Sequence, residues 1–335
     1  MQPNLTSDLS QHFQTLNNTR TAKSRLNQLT QEMATGRVSD LASHLNGRTG
    51  QVLQLDREVA LLTSIAEGSA QIAQRFTQQQ NVLDGVDRIR SGLATQSLQA
   101  AQGGSNLQMD ATAVAGRQEF DSLIARLNTQ IGGRSMFGGA AVSQPPLASA
   151  DDIMAGIVAS LGGATDAAAV IAAVDTWFDD PSGGFATLGY TGGTGPARSF
   201  QIGRSDMVSD LARADDAGIR DVLRGAAMAA VAAELSGVLP SGDKAALLTT
   251  AGERLLAASD TLVDLRGRIG TQQQRLEEAN VASNAERTAF QTARNDLVRA
   301  DPFDTATRLQ DAQQQLEIQY ATTARLARLS LVNFI

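Results

Sequence analysis

Apolar residues recur at seven-residue intervals along two long stretches of this chain. Leu55, Leu62, Ser69, Phe76 and Leu83 fall seven apart, and Ile65, Ile72, Gln79, Val86 and Leu93 occupy the second seam position from Leu62 onward. A repeat sustained in this way predicts a coiled-coil helix whose seam must be covered by a neighbour. Ser69 and Gln79 interrupt the seam, and polar residues at such positions are expected to set register at some cost in stability. The helix is expected to stop at Gly103-Gly104. A second long helix is predicted from Asp243 to Ala300, with Ile269, Leu276, Ser283, Phe290 and Leu297 at sevens and Leu265, Gln272, Ala279, Glu286 and Ala293 on the companion seam. At 1.5 Å per residue it would span roughly 85 Å, far more than a compact domain needs.

Weaker helices flank these two. Residues 7 to about 35 carry a thin stripe of Leu9, Phe13, Leu16, Leu26, Leu29 and Met33, with Gly36 as a stop. The middle of this helix is almost wholly polar, so it is expected to be disordered alone and to fold against a partner. Asp301 as N-cap, Pro302 at the first helical position and Asp304 at the third restart a helix carrying Leu309, Leu316 and Tyr320. It runs into Ser330-Leu331-Val332-Asn333-Phe334-Ile335, an apolar stretch that frays and costs solubility if left free. The two terminal helices are therefore read as an assembly surface, with Leu9, Phe13, Leu16, Leu26, Leu29, Leu309, Leu316, Tyr320, Leu331, Phe334 and Ile335 as candidate contacts.

Between the long helices the texture changes. A third helix is predicted at about 105 to 131, with Phe120, Ile124, Leu127 and Ile131 on one face. Two short Ala-rich helices (152 to 161 and 166 to 178) follow, then Phe185 to Tyr190 and Arg198 to Gly203 as the arms of a β-hairpin around Thr191-Gly192-Gly193-Thr194-Gly195-Pro196, then an Ala-rich helix over 216 to 236. The expected architecture is mainly α: a long antiparallel coiled-coil bundle formed by N- and C-terminal arms, with a small inserted α+β domain. Its segments are a terminal helix and loop (1–50), N-terminal rod helices (51–140), the insert (141–240), a C-terminal rod helix (241–300) and a terminal helix (301–335).

Composition narrows the function. Aromatics are 4% of the chain and the mean hydropathy is −0.15, which suits helices completed by neighbours better than a conventional core. A net charge of −7, with Lys23 and Lys244 the two lysines, argues against a nucleic-acid partner. There is no cysteine, which removes thiolate catalysis and Cys-ligated metals. No apolar run reaches the ~20 residues of a membrane helix, and the start lacks the pattern of a cleaved signal, so no membrane insertion is expected.

No catalytic constellation emerges, and no cofactor or metal is expected. His12 and His44 are far apart in polar surroundings. The paired acids Asp151-Asp152, Asp179-Asp180, Asp215-Asp216 and Glu277-Glu278 are sequence neighbours, which do not face one another on a helix and read instead as caps and turns. The Gly192-Gly193-Thr194-Gly195 run lacks the Lys-Ser/Thr and the helix of a phosphate loop. Trp177 reads as core of the insert.

With both arms in view, the chain resembles the flagellin superfamily, and within it the hook-filament junction subunits. The match is carried by Leu26 to Val38 with its small-Gly-basic-apolar stop, by Arg134-Ser135-Met136-Phe137-Gly138-Gly139 leading to Pro145-Pro146-Leu147, and by Ala306-Thr307-Arg308-Leu309-Gln310, Leu316, Tyr320 and Leu329 to Ile335. The resemblance implies a structural, extracellular subunit of the bacterial flagellum, exported unfolded by the type III apparatus without a cleaved signal. It also implies self-association in a ring, an export chaperone, and neighbours that are hook protein or an adjacent junction protein on one side and flagellin or a second junction protein on the other. A filament flagellin shares the same arms, an intracellular coiled-coil scaffold would need no export, and an enzyme seated in 141–240 is the weakest alternative.

Limited proteolysis of the dilute chain should digest both ends and leave a resistant middle. Ends that survive as long as the middle would refute folding on assembly.

Overall fold

A computed structural model describes residues 5–103, 105–210 and 212–332, with side chains at 10, 13–103, 105–210 and 212–325. Nine α-helices account for most of it: α1 (Leu5–Thr35), α2 (Leu41–His44), α3 (Gly50–Gly103), α4 (Asn106–Leu127), α5 (Ala150–Ser160), α6 (Ala167–Asp179), α7 (Ala217–Glu234), α8 (Ser241–Val298) and α9 (Pro302–Val332). Two hairpins, β1 (Gln130–Ile131) with β2 (Arg134–Ser135) and β3 (Arg198–Gln201) with β4 (Met207–Asp210), and one π-helical turn (Phe185–Gly189) complete the regular structure of the described residues. The protein is mainly α, with long helices packed against each other. It divides into two compact units, residues 64–283 and residues 1–63 with 284–335.

In the unit 64–283, α3 and α8 run antiparallel. Gln80 donates to the Arg266 carbonyl at 2.9 Å and Arg90 to the Leu255 carbonyl at 2.9 Å, so the partner number falls as the α3 number rises. Ile65, Ile72, Phe76 and Leu83 of α3 and Ile269 and Leu276 of α8, at the heptad positions of the two helices, are all buried. In the other unit Leu62 is buried, Leu55, Phe290 and Leu297 are half-buried, and Arg294 pairs with Asp56 at 2.9 Å.

The remaining core of the 64–283 unit is organised by α7. Every residue from Gly225 to Ala232 is buried, so this stretch of the helix is apolar on all sides and must be enclosed. It packs on α4, α5 and α6, and Gly225 faces Leu255 of α8. The 141–240 segment therefore shares its core with α4 and the long helices. Trp177 is buried edge-on against Phe178 at 4.8 Å and near Phe185 at 6.1 Å.

Three expectations are corrected. The third helix stops at Leu127, not 131; Gln130-Ile131 turn back on Arg134-Ser135 through Gly132 and Gly133, at φ 57° and 72°. Two successive left-handed residues make the hairpin turn whose twist matches its strands, and glycine adopts it without steric cost. Secondly, Arg198 to Gln201 pair with Met207–Asp210 rather than with the 185–190 stretch. Phe185–Gly189 is a π-helical turn that seats Phe185 against Phe178 with ring centroids 5.3 Å apart, and Tyr190 bridges to Leu147 instead.

Gln79 is the third correction. It is fully buried, but its amide leaves the α8 seam and donates to the Met136 carbonyl at 2.9 Å and to Asp210 at 2.8 Å. Arg75, one turn earlier, donates to the other Asp210 oxygen at 2.7 Å and to the carbonyls of Ser135 and Met136 at 3.1 and 3.0 Å. One face of α3 thus anchors both hairpins. Both Asp210 oxygens and Nε2 of Gln79 find partners here, whereas Oε1 of Gln79 is buried without one.

Beside this anchor, Phe137 is wholly buried and its carbonyl accepts from Ala214 at 2.9 Å. Phe137→Ala should lower the stability of this unit by about 3–5 kcal/mol. Urea titration followed by the fluorescence of Trp177 reads it; an unshifted midpoint would contradict the packing.

Candidate assembly interface

The terminal helices pair because each carries a narrow 3-4 spaced seam. On α1 it runs through Thr15, Thr19, Ala22, Leu26 and Leu29, and on α9 through Thr305, Leu309, Ala312, Leu316 and Thr323, all buried or half-buried. Small residues dominate, so the two backbones approach closely while burying little apolar area. The helix ends that start this pair are tied together by backbone. Val38 donates to the Val298 carbonyl and Ala300 to that of Gly36, each at 3.0 Å, and Gly36 closes α1 at φ +66°. Glu32 is buried at the same turn, accepting from the Ser39 amide at 2.9 Å and from Gln28 at 3.3 Å. Asp301 caps α9 through the amides of Phe303 at 2.8 Å and Asp304 at 3.1 Å, and Arg308 pairs with Asp304 at 2.7 Å.

The candidate contact residues sort into two sets by position around the helix. Leu29 is buried, and Leu26, Leu309 and Leu316 are half-buried, all within the α1–α9 seam. Phe13 and Leu16 lie off that seam and are exposed, Phe13 at 60%, and Tyr320 is likewise exposed. The side chains of Leu9 and Leu331, and Phe334 and Ile335 altogether, lie outside the described residues.

Two further members were missed in the sequence: Phe303, 84% exposed, and Ile318, 61% exposed. Phe303 was hidden inside the capping motif, but it precedes the seam residue Thr305 by two, about 200° around a helix, which puts it on the far side. Phe13 precedes Thr15 by the same interval. The pair therefore shows large apolar side chains on the side away from its own seam. Enclosing each would contribute about 1.5–3 kcal/mol.

Other chemistry is thin. Among the described residues no group of three or more metal-ligating side chains comes together, and no helix is long and apolar enough to cross a membrane. His44 is exposed, and the paired acids serve local structure: Ser149 caps α5 by accepting from the Asp152 amide at 3.1 Å and donating to the Asp152 carboxylate at 2.6 Å, Asp216 pairs with Arg268 at 2.7 Å, and Asp179 pairs with Arg224. Asp180 is held below the usual carboxylate range by hydrogen bonds from the Ser182 hydroxyl and amide.

Residues 255–335, which include most of α8 and all of α9, match the family model of the bacterial flagellin C-terminal helical region. The C-terminal arm is flagellin-like. Flagellin is a structural family, not an enzymatic one. Over 73% of this chain the fold is similar to that of a protein described as a flagellar hook-associated protein from Vibrio parahaemolyticus, covering 95% of that one at a TM-score of 0.52 and 13% identity. FlgL of Bacillus cereus aligns over the same shares, 73% and 95%, at 14% identity and a TM-score of 0.44. No curated protein matches the sequence significantly.

Because Phe303 touches solvent and Ala312 sits in the seam of this flagellin-like arm, the two should respond oppositely to substitution. Phe303→Ser should leave stability within about 0.5 kcal/mol, whereas Ala312→Leu should overpack the pair and cost about 1–3 kcal/mol. Thermal melts by far-UV circular dichroism compare them; equal effects would mean that the seam is misplaced.

Proposed function

We propose that this chain is a structural subunit of the bacterial flagellum that joins hook to filament by helical self-assembly and is needed for motility. The observation that carries the reading is a flagellin-like C-terminal arm whose helix pairs with α1 through a narrow seam and leaves Phe13, Phe303 and Ile318 uncovered. Copies arranged in a ring would cover those side chains, and the many repeated contacts would offset the ordering of two thinly packed helices. On this reading the chain leaves the cell without a cleaved signal, kept soluble by an export chaperone. It then lies at the hook-filament junction, between hook protein or an adjacent junction protein and flagellin or a second junction protein. The five segments, 1–50, 51–140, 141–240, 241–300 and 301–335, take the roles of terminal helix and loop, rod, variable insert, rod and terminal helix.

A filament flagellin is the second reading, favoured by the family model that matches residues 255–335. Deletion of the gene followed by electron microscopy separates the two. A junction subunit should leave hooks in place with filaments shed into the medium and motility lost. Persisting, attached filaments would refute the junction role, and the absence of any filament protein in the medium, with this chain the dominant band of sheared wild-type filaments, would establish the flagellin reading instead.

A further inference from the structure

A groove of about 280 Å³ opens in the 64–283 unit between α3 and the two hairpins. Its floor is apolar, made by Ile72, Met136 and Phe200, and Gln71, Gln74 and Gln78 form one helical edge with amides that can both donate and accept. Three guanidiniums converge on it: Arg75, Arg134 and Arg198. Arg75 is committed to Asp210. Arg134 is exposed and has no ion-pair partner among the described residues, and Arg198, within the field of Asp210 but not paired with it, lies over the face of Phe200, 5.2 Å from its guanidinium carbon. Burial, then the positive charges of Arg134 and Arg75, hold Arg198 below the usual guanidinium range. Like charges crowded over apolar floor cost free energy that an incoming carboxylate would return.

The same unit carries the complementary surface. Along α8, Glu253, Leu256, Asp260 and Val263 recur at 3-4 spacing and so share one face. Leu256 and Val263 are exposed large apolar residues, at 50% and 62%, and neither Glu253 nor Asp260 has an ion-pair partner among the described residues. Alternating acid and aliphatic side chains on a helix is the pattern that a basic groove with an apolar floor would accept.

We propose that the groove of one copy receives the Glu253–Val263 face of α8 from a second copy. Two different patches meet, so the contact is heterologous: it propagates from copy to copy and closes into a ring or extends as a helix. The contact deepens the self-assembly reading and rests on it, but it is carried by the 64–283 unit and not by the terminal helices.

Charge reversal on each side tests it with the full chain. Sedimentation velocity of concentrated protein at low salt should show association that weakens as salt rises. The Arg134→Glu/Arg198→Glu variant and the Glu253→Arg/Asp260→Arg variant should each weaken self-association at least about tenfold, since like charges then face across the contact. Arg134→Glu alone, at an exposed position, should produce part of that loss with the fluorescence of Trp177 unchanged. Mixing the two double variants should restore association, because each then meets a groove or face of opposite sign. Association that survives both reversals overturns the proposal, as does a wild-type chain that stays monomeric at low salt. Loss without recovery on mixing would overturn the pairing of this groove with the Glu253–Val263 face. If Phe303→Ser abolishes association while the charge reversals do not, this contact falls and assembly through the terminal helices stands.

Discussion

A helix of more than fifty residues cannot fold back on itself, so every apolar seam it carries has to be covered by something else. That constraint governs both units. In residues 64–283 α3 and α8 run side by side, and Ile72, Phe76, Leu83, Ile269 and Leu276 all leave solvent. The sides of these helices that do not face each other still need partners, and α4 with the buried 225–232 stretch of α7 lies in the same core. In the other unit the same rule operates with far less material. The α1–α9 seam is built from Thr, Ala and a few Leu, so pairing is satisfied with little area buried.

The irregular parts are placed by polar chemistry. Arg75 and Gln79 project from α3 at four-residue spacing and together saturate Asp210 and the carbonyls of Ser135 and Met136. A four-residue spacing on a helix puts both side chains on one face, so a single stretch of α3 fixes the β4 strand and the segment after the first hairpin. Removing either partner would strand buried charge or buried amide, which costs more than the bonds contribute in net stability. That asymmetry explains how two very short hairpins keep a defined position on a helical unit: they are held by satisfied polar groups as much as by apolar contact.

Much of this was readable in the sequence, and the misses share a physical cause. Heptad spacing is a local property, so the seams at Leu62, Ile72, Leu83, Ile269 and Leu276, the caps at Asp301 and Gly36, and the boundaries of α5, α6 and α7 followed from residues close together in the chain. What depends on distant residues did not follow. Gln79 reads as a register setter from its heptad position, yet its partners are 57 and 131 residues away. The 185–190 stretch has strand composition, but aromatic packing on Phe178 decides its conformation. Phe303 is legible only once the α9 seam is known, because exposure is defined by where the partner helix sits.

The thin terminal pair then takes on a specific meaning. Had α1 and α9 carried Leu at every seam position, the pair would be stable alone and its far side would be free to be polar. Instead the seam is small and the large side chains, Phe13, Phe303 and Ile318, stand away from it. Apolar area placed outside the internal seam adds nothing to the stability of the separate chain, but it adds to any state in which another surface covers it. On the proposed reading, this distribution would place stabilisation in the assembled form rather than in the separate chain, leaving the terminal pair loosely held before assembly and firmly held after it.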